Sequence, residues 1–337
     1  MQCIPEWHNV NRQTLLEKIV ARQQPAVLRG FVSHWPAVTH GLQSTESIST
    51  YLKSFDNGTP VHAIMTAPEE KGRVHYNENM TGFNFAKNKL PISAIIDLLT
   101  RYRNGKNPPC VAAQSAIIPD CLPGFEQQNT LPFLDEAIKP RIWIGNTITV
   151  PAHIDDANNI ACVISGKRRF TLFPPEQVTN LYIGPIDYHP AGAPISMVRC
   201  HTPDLQRFPD YPKALAAAQV AELEAGDALY IPPVWWHQVE SVGALNILVN
   251  YWWGGSLGAV DQAGGPIECL MHCLLNMQHL PPETRAAWGT LFNHFVFQSK
   301  PGQFDYIPEF RRGTLGPLSA DQAQQVRTSL IQKLQRQ

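Results

Sequence analysis

Charge of either sign is scarce in this 337-residue chain: 16% of its residues are charged, and 27 basic against 28 acidic side chains leave a net charge of -1. That balance excludes the strong positive field that holds duplex nucleic acid or an anionic membrane surface, so nucleic acid is not favoured as a partner. Cysteine is sparse too. Seven occur, at positions 3, 110, 121, 162, 200, 269 and 273, with no CxxC pair, and an odd count argues against a closed disulfide framework. No apolar run approaches the ~20 residues that cross a bilayer. Met1-Gln-Cys-Ile-Pro-Glu-Trp-His8 has no basic segment followed by an apolar one, so no secretory signal is expected. A reducing cytoplasm, without a membrane partner, is the resulting expectation. Internal repeats and low-complexity segments are also lacking.

Apolar residues make up 44% of the chain, which marks a globular protein with ample material for a core. Twenty-nine prolines favour a loop-rich β architecture over a helical bundle. Hydrophobic periodicity predicts a helix from Arg12 to Arg22 capped by Asn11, a strand from Pro25 to Gly30, and a short helix from Ser47 to Phe55. Strands are expected over Pro60 to Met65 and Arg73 to Tyr76, and a helix from Pro91 to Tyr102. From about Cys110 to Trp253 short apolar runs alternate with Pro and Gly turns, the pattern of a sandwich or barrel. After Gly254-Gly255 the character becomes helical, with segments Pro266 to Gln278, Pro282 to Phe297 and Ala320 to Arg336.

One constellation carries chemistry. In His153-Ile-Asp155 the two ligand-type side chains are spaced i, i+2, so on an extended strand they leave the same face. His237 closes Glu224-Ala-Gly-Asp-Ala-Leu-Tyr-Ile-Pro-Pro-Val-Trp-Trp-His237, which reads as a turn, a short apolar strand and a Pro-Pro break. Two imidazoles and a carboxylate occupy one face of an octahedron and leave positions open, which suits a ferrous ion in an oxygenase. The same set would also hold zinc in a hydrolase or isomerase.

Strand parity adds candidates. Asn159, four residues after Asp155, shares the ligands' face if the strand continues. Arg168 shares a face with Phe170 and Leu172, and a cation there needs an anionic partner such as a dicarboxylate reaching in from the metal. Asn246 and Asn250 lie on one face of an otherwise apolar strand, where a polar ligand in a cavity would satisfy them.

Pro151-Ala-His153-Ile-Asp155, Asn159, Gly166-Lys-Arg-Arg-Phe-Thr-Leu-Phe-Pro-Pro175, Gly226 to His237 and Val249-Asn-Tyr-Trp252, in that order, resemble the JmjC/cupin-like 2-oxoglutarate oxygenases. The branch they resemble contains the asparaginyl hydroxylase that inhibits hypoxia-inducible factor. Pro25 to Gly30 and Trp35-Pro-Ala37 are similar to that branch's N-terminal segment. The resemblance implies a mainly β chain: a double-stranded β-helix (jelly-roll, cupin) core with flanking N-terminal helices and a C-terminal helical region. It implies an oxygenase domain over residues 1–255, a helical region over 256–337 that makes a homodimer, and Fe(II) with 2-oxoglutarate as co-substrate. His153, Asp155 and His237 fall on the metal ligands, and Asn159 and Asn250 on positions that contact the co-substrate. Tyr76 and Asn77 fall near the substrate mouth, and Trp236, Trp252 and Phe170 read as apolar walls. Hydroxylation of a protein or peptide side chain is the implied reaction, with a small-molecule substrate as the other class. Three positions depart from the family pattern: Val150 stands where Thr is common, Arg168 where Lys is common, and Val111 near the place of a tyrosine that holds the distal carboxylate. Two other readings therefore stand beside the oxygenase, a cupin metalloenzyme that does not use 2-oxoglutarate and a non-catalytic metal-binding scaffold.

Overall fold

The computed structural model describes residues 1–190, 192–255 and 265–335. It divides into two compact units, Met1–Cys269 and Leu270–Gln337. The boundary expected after residue 255 abuts residues 256–264, which lie outside the described residues, as does Arg336, the expected end of the last helix.

Among the described residues the first unit has twelve strands: β1 (Gln2–Cys3), β2 (Glu6–His8), β3 (Ala26–Arg29), β4 (Val61–Thr66), β5 (Phe85–Leu90), β6 (Cys110–Ile117), β7 (Arg141–Gly145), β8 (Ile148–His153), β9 (Asn158–Phe173), β10 (Gln219–Leu223), β11 (Ala228–Ile231) and β12 (Trp236–Trp253). Their main path runs β2-β3-β11-β9-β12-β7-β6-β4-β5, with β8 paired to β12 and β10 bridging β1 and β9. The two longest strands form the spine of the jelly roll. The first part of β12 pairs with the second half of β9 and with β8, and its later part pairs with the first half of β9 and with β7. Between them, the register shifts from Val242 to Ile247. The corner is made by glycine: Gly166 has φ +78°, Gly243 has φ +107°, and a Cβ on Gly166 would collide with Oδ1 of Asn246.

Alternation along these strands sends apolar side chains to two sides. Leu28, Ile144, Ile160, Cys162, Ile164, Ile247 and Val249 join the main core under the N-terminal helices. Val163, Phe170, Leu172, Leu229, Ile231 and Leu248 pack inside the roll. Each such buried side chain contributes about 1.5–3 kcal/mol relative to exposure. The flanking helices are Pro36–Gln43, Thr45–Lys53 and Ile92–Tyr102, and Ser44 caps the second by accepting from the amide of Ser47.

Two expectations shift in detail. The segment from Arg12 is a helix with π-type winding over Thr14–Ile19 and a 3-10 turn over Val20–Arg22, capped by Asn11 at 2.8 Å from the amide of Thr14. Arg73 to Tyr76 is not a strand. It touches two different partners through single bridges, Arg73 with Thr149 and Tyr76 with Phe83, so no ladder propagates.

In the second unit the helices include Pro282–Phe292 and Ala320–Gln335, neither of which has a buried residue. Leu275, Trp288, Phe297, Phe310 and Ile331 are all exposed. No helix among the described residues is long and apolar enough to cross a membrane.

Candidate metal centre

His153 is the last residue of β8 and His237 the second of β12, and the antiparallel register sets them directly opposite each other. Strand pairing thus closes the long gap between them in sequence. The ring centroids are 4.2 Å apart, and the two imidazoles and the Asp155 carboxylate offer ligand atoms all within 4.8 Å of one another. Asp155 does not ride on a continuing strand. β8 ends at His153, and Asp155 lies in the short turn before β9 begins at Asn158.

Both imidazoles are oriented by their own backbone. Nδ1 of His153 bonds the carbonyl of Pro151 at 2.9 Å, and Nδ1 of His237 bonds the carbonyl of Trp235 at 2.9 Å. A carbonyl only accepts, so the proton sits on Nδ1 and leaves each Nε2 lone pair for a metal. Burial, and then the neighbouring His237, push the His153 pKa down to about 4, which keeps it neutral and ligand-ready at pH 7. Burial opposes the charged forms of Asp155 and His237, but their mutual attraction outweighs it: the carboxyl is held below its ordinary range and the imidazole above it. Asp155 Oδ2 lies 3.5 Å from Nε2 of His237.

A polar relay fixes the carboxylate. Trp252 donates through Nε1 to Asp155 Oδ2 at 3.1 Å, and Asn159 donates to the same oxygen at 3.3 Å. Asn250 donates to Asn159 Oδ1 at 3.2 Å, and Trp143 donates to Asn250 Oδ1 at 2.8 Å. Nothing local in the sequence marks Trp143 for this role. It is found only through β7 lying beside β12.

The ligands face a cavity of about 400 Å³ that Asn159, Asn250, Trp143, Trp252 and Arg168 also line. Its walls include Val150, Ala161, Phe170, Val239 and Leu248, and its mouth includes His62, Lys87, Gln114 and Ser115. Arg168 is 8% exposed, its Nε is buried without a partner, and no carboxylate pairs with it among the described residues. Burial pushes its pKa down to about 10, so it remains a cation at neutral pH. An unpaired buried guanidinium in a cavity that already holds three metal-type ligands fits a carboxylate of a metal-bound dicarboxylate.

Other sequence candidates lie elsewhere. Trp236 is adjacent to His237 on β12 and so faces the opposite way, into a cluster with Phe173, Leu181 and Tyr211. Tyr76 and Asn77 line a different cavity, and Tyr76 is buried with its hydroxyl donating to the carbonyl of Tyr188 at 2.6 Å. Val111 points into the main core, and β6 reaches the metal cavity through Gln114 and Ser115 instead. A bulge does this: the β6–β7 register slips between Ala113 and Ala116, and Ser115 has φ +49°. Asn246 sits at the glycine corner and donates to the carbonyl of Gly243, so only Asn250 of that pair faces the cavity.

Three clustered ligands inside a jelly roll define a cupin-type metal site. The chain belongs to the cupin-like domain family, whose model matches residues 12–257. It is 27% identical over 262 residues to the lysine-specific demethylase JMJ31 of Arabidopsis thaliana, covering 68% of this chain and 46% of that protein. It is 33% identical over 150 residues to human HSPB1-associated protein 1, covering 43% of this chain and 30% of the relative. A third relative, the human bifunctional peptidase and (3S)-lysyl hydroxylase JMJD7, is 26% identical over 262 residues, covering 69% of this chain and 78% of its own length. The chain spans less than half the length of the first two.

Proposed function

We propose that this protein is an Fe(II)- and 2-oxoglutarate-dependent oxygenase that hydroxylates a C–H bond of a protein or peptide side chain. The observation that carries the reading is the joint placement of the His153, Asp155 and His237 cluster and the unpaired Arg168 on one cavity. His153, Asp155 and His237 would hold the metal, and Arg168 the far carboxylate of the co-substrate. Bound there, Fe(II) with 2-oxoglutarate and dioxygen supplies an oxidative decarboxylation to succinate and CO₂ that leaves one oxygen atom for the substrate. The chain contributes the rest. Trp252 and Asn159 fix the carboxylate's rotamer, the carbonyls of Pro151 and Trp235 fix the imidazole tautomers, and Phe170, Val239 and Leu248 exclude water. Gln114 and Ser115 at the mouth would meet the substrate. The polypeptide substrate class is supported by the printed activities of the demethylase and lysyl hydroxylase relatives.

A homodimer through the C-terminal helices agrees with their exposed Trp288, Phe297 and Ile331. A reducing cytoplasm agrees with seven free cysteines. The activity is tested by measuring succinate and CO₂ from 2-oxoglutarate with Fe(II), using His153→Ala as the control. Turnover that needs His153 supports the oxygenase, and its absence with every pool of polypeptide offered contradicts it.

A further inference from the structure

A second cavity, of about 390 Å³, shares no lining residue with the metal cavity and gathers three cations, Arg73, Arg199 and Arg207, around the neutral imidazole of His75. Hydrogen bonds tie down the segment that carries Arg73 and His75. The Asn84 side chain accepts from the amide of His75 at 2.8 Å and donates to the carbonyl of Arg73 at 2.8 Å and to Glu70 at 2.6 Å. The amide of Val74 donates to Thr149 on β8 at 3.0 Å. On the facing side, the segment leading to Arg199 is pinned by the amide of Ser196 on the carbonyl of Ala152 at 2.8 Å.

The charges do not balance. Two acids face the cavity, Glu70 and Glu78. Glu70 is already occupied by Arg73 at 3.1 Å and by Asn84, and Glu78 is exposed. Among the described residues neither Arg199 nor Arg207 pairs with a carboxylate. Among the described residues two buried polar atoms, Nε of Arg73 and Nε2 of His75, make no hydrogen bond of ordinary geometry, although the backbone of Ser196 and Tyr76 lies near the His75 ring. A native fold seldom leaves two such atoms unmet in one place unless something else meets them. Burial, and then Arg73 and Arg199, push His75 down to about 4, so the cationic field is felt inside the cavity.

The geometry points to an oxyanion-binding site in this cavity, one that takes a phosphate or carboxylate group through Arg73, Arg199, Arg207 and His75. Guanidinium forks match both groups in geometry and in charge. Two sources carry this chemistry: a free anion, or an acidic or phosphorylated side chain on a bound polypeptide. The second source has a route, because Tyr76 lines this cavity, bonds the carbonyl of Tyr188, and Pro190 two residues on lines the metal cavity.

The test uses the full chain and inorganic phosphate as the probe, followed by ³¹P line broadening against chloride at equal ionic strength. Saturable binding is expected, weakened about tenfold for each guanidinium lost and so roughly a hundredfold by the double substitution Arg199→Ala/Arg207→Ala. Both side chains are exposed, so the variant should keep its fold and its circular dichroism. Arg168→Met and His153→Ala should bind phosphate as the unaltered protein does. Displacement by a glutamate-rich peptide at lower concentration than by free glutamate assigns the polypeptide source, and equal displacement assigns the free anion. Binding no better than chloride, binding unchanged by the double substitution, or binding that follows Arg168 would each overturn the site.

Discussion

At the scale of single residues, side chains that are not themselves ligands set the geometry of those that are. Trp252 gives Asp155 one indole N–H at 3.1 Å while its ring packs edge-on against Trp143 and under the guanidinium of Arg141. Trp252→Phe removes the donor and keeps most of the packing. Metal affinity should fall roughly 10-fold, the lower end of what loss of a ligand's supporting hydrogen bond costs. Calorimetric titration with Fe(II) under anaerobic conditions measures it, and unchanged affinity would remove Trp252 from the site. Arg168 makes a sharper case. It is a buried charge with no partner among the described residues, so Arg168→Met should stabilise the apoprotein by roughly 1–3 kcal/mol while abolishing 2-oxoglutarate binding. A variant that lost stability would show that Arg168 serves the fold instead. The ligands and Arg168 were legible in the sequence from residue type and the ordered motifs; strand parity served Arg168 but not Asp155, which lies in the turn between β8 and β9. Trp143 was not, because its role exists only across the β7–β12 pairing.

At the scale of elements, the site depends on where β9 and β12 bend. Gly166→Ala would place a Cβ against Asn246 in a backbone conformation with φ +78°. The left-handed conformation alone costs about 1–2 kcal/mol for a non-glycine residue, and the collision adds to it. Urea unfolding should show a loss of at least that size, while Gly243→Ala, strained but with open space around it, should lose less. Equal losses would mean that the corner is not specifically packed. The sequence announced most strands through alternation and Pro or Gly punctuation. It misled at Arg73 to Tyr76, where an apolar-polar alternation is spent on single bridges and loop contacts. It also misled at Trp236, which reads as a cavity wall but, as the residue next to His237 on a strand, faces the opposite way. The β6 bulge, which brings Gln114 and Ser115 to the mouth, has no signature in residue type, since Ser115 takes a positive φ that its side chain does not advertise.

At the scale of the whole molecule, buried histidines tie stability to pH. His75 and His153 are both held at about 4, against an ordinary 6.5. As pH falls below 6.5 the unfolded chain takes up these protons and the folded chain does not, so the apoprotein loses stability until about 4, where the loss levels off. His237, raised above 6.5, works in the opposite sense: its contribution is present below 6.5 and fades as pH rises through its folded value. His189 is also lowered by burial, so three groups against one predict a lower urea midpoint at about pH 5 than at about pH 7.5 in the presence of a chelator. The reverse order would mean that the raised His237 dominates.

The family and its jelly roll were readable from ordered motifs, and register and bulges then decided which candidates share the cavity. The central claim is that one cavity holds a metal on His153, Asp155 and His237 and a dicarboxylate on Arg168. Anaerobic titration of Fe(II) and 2-oxoglutarate, followed by visible absorption, tests it most directly. A charge-transfer band that needs both additions, and that is lost in His153→Ala and in Arg168→Met, is the predicted result. Fe(II) binding with no band on adding 2-oxoglutarate, or a band indifferent to Arg168, would contradict it.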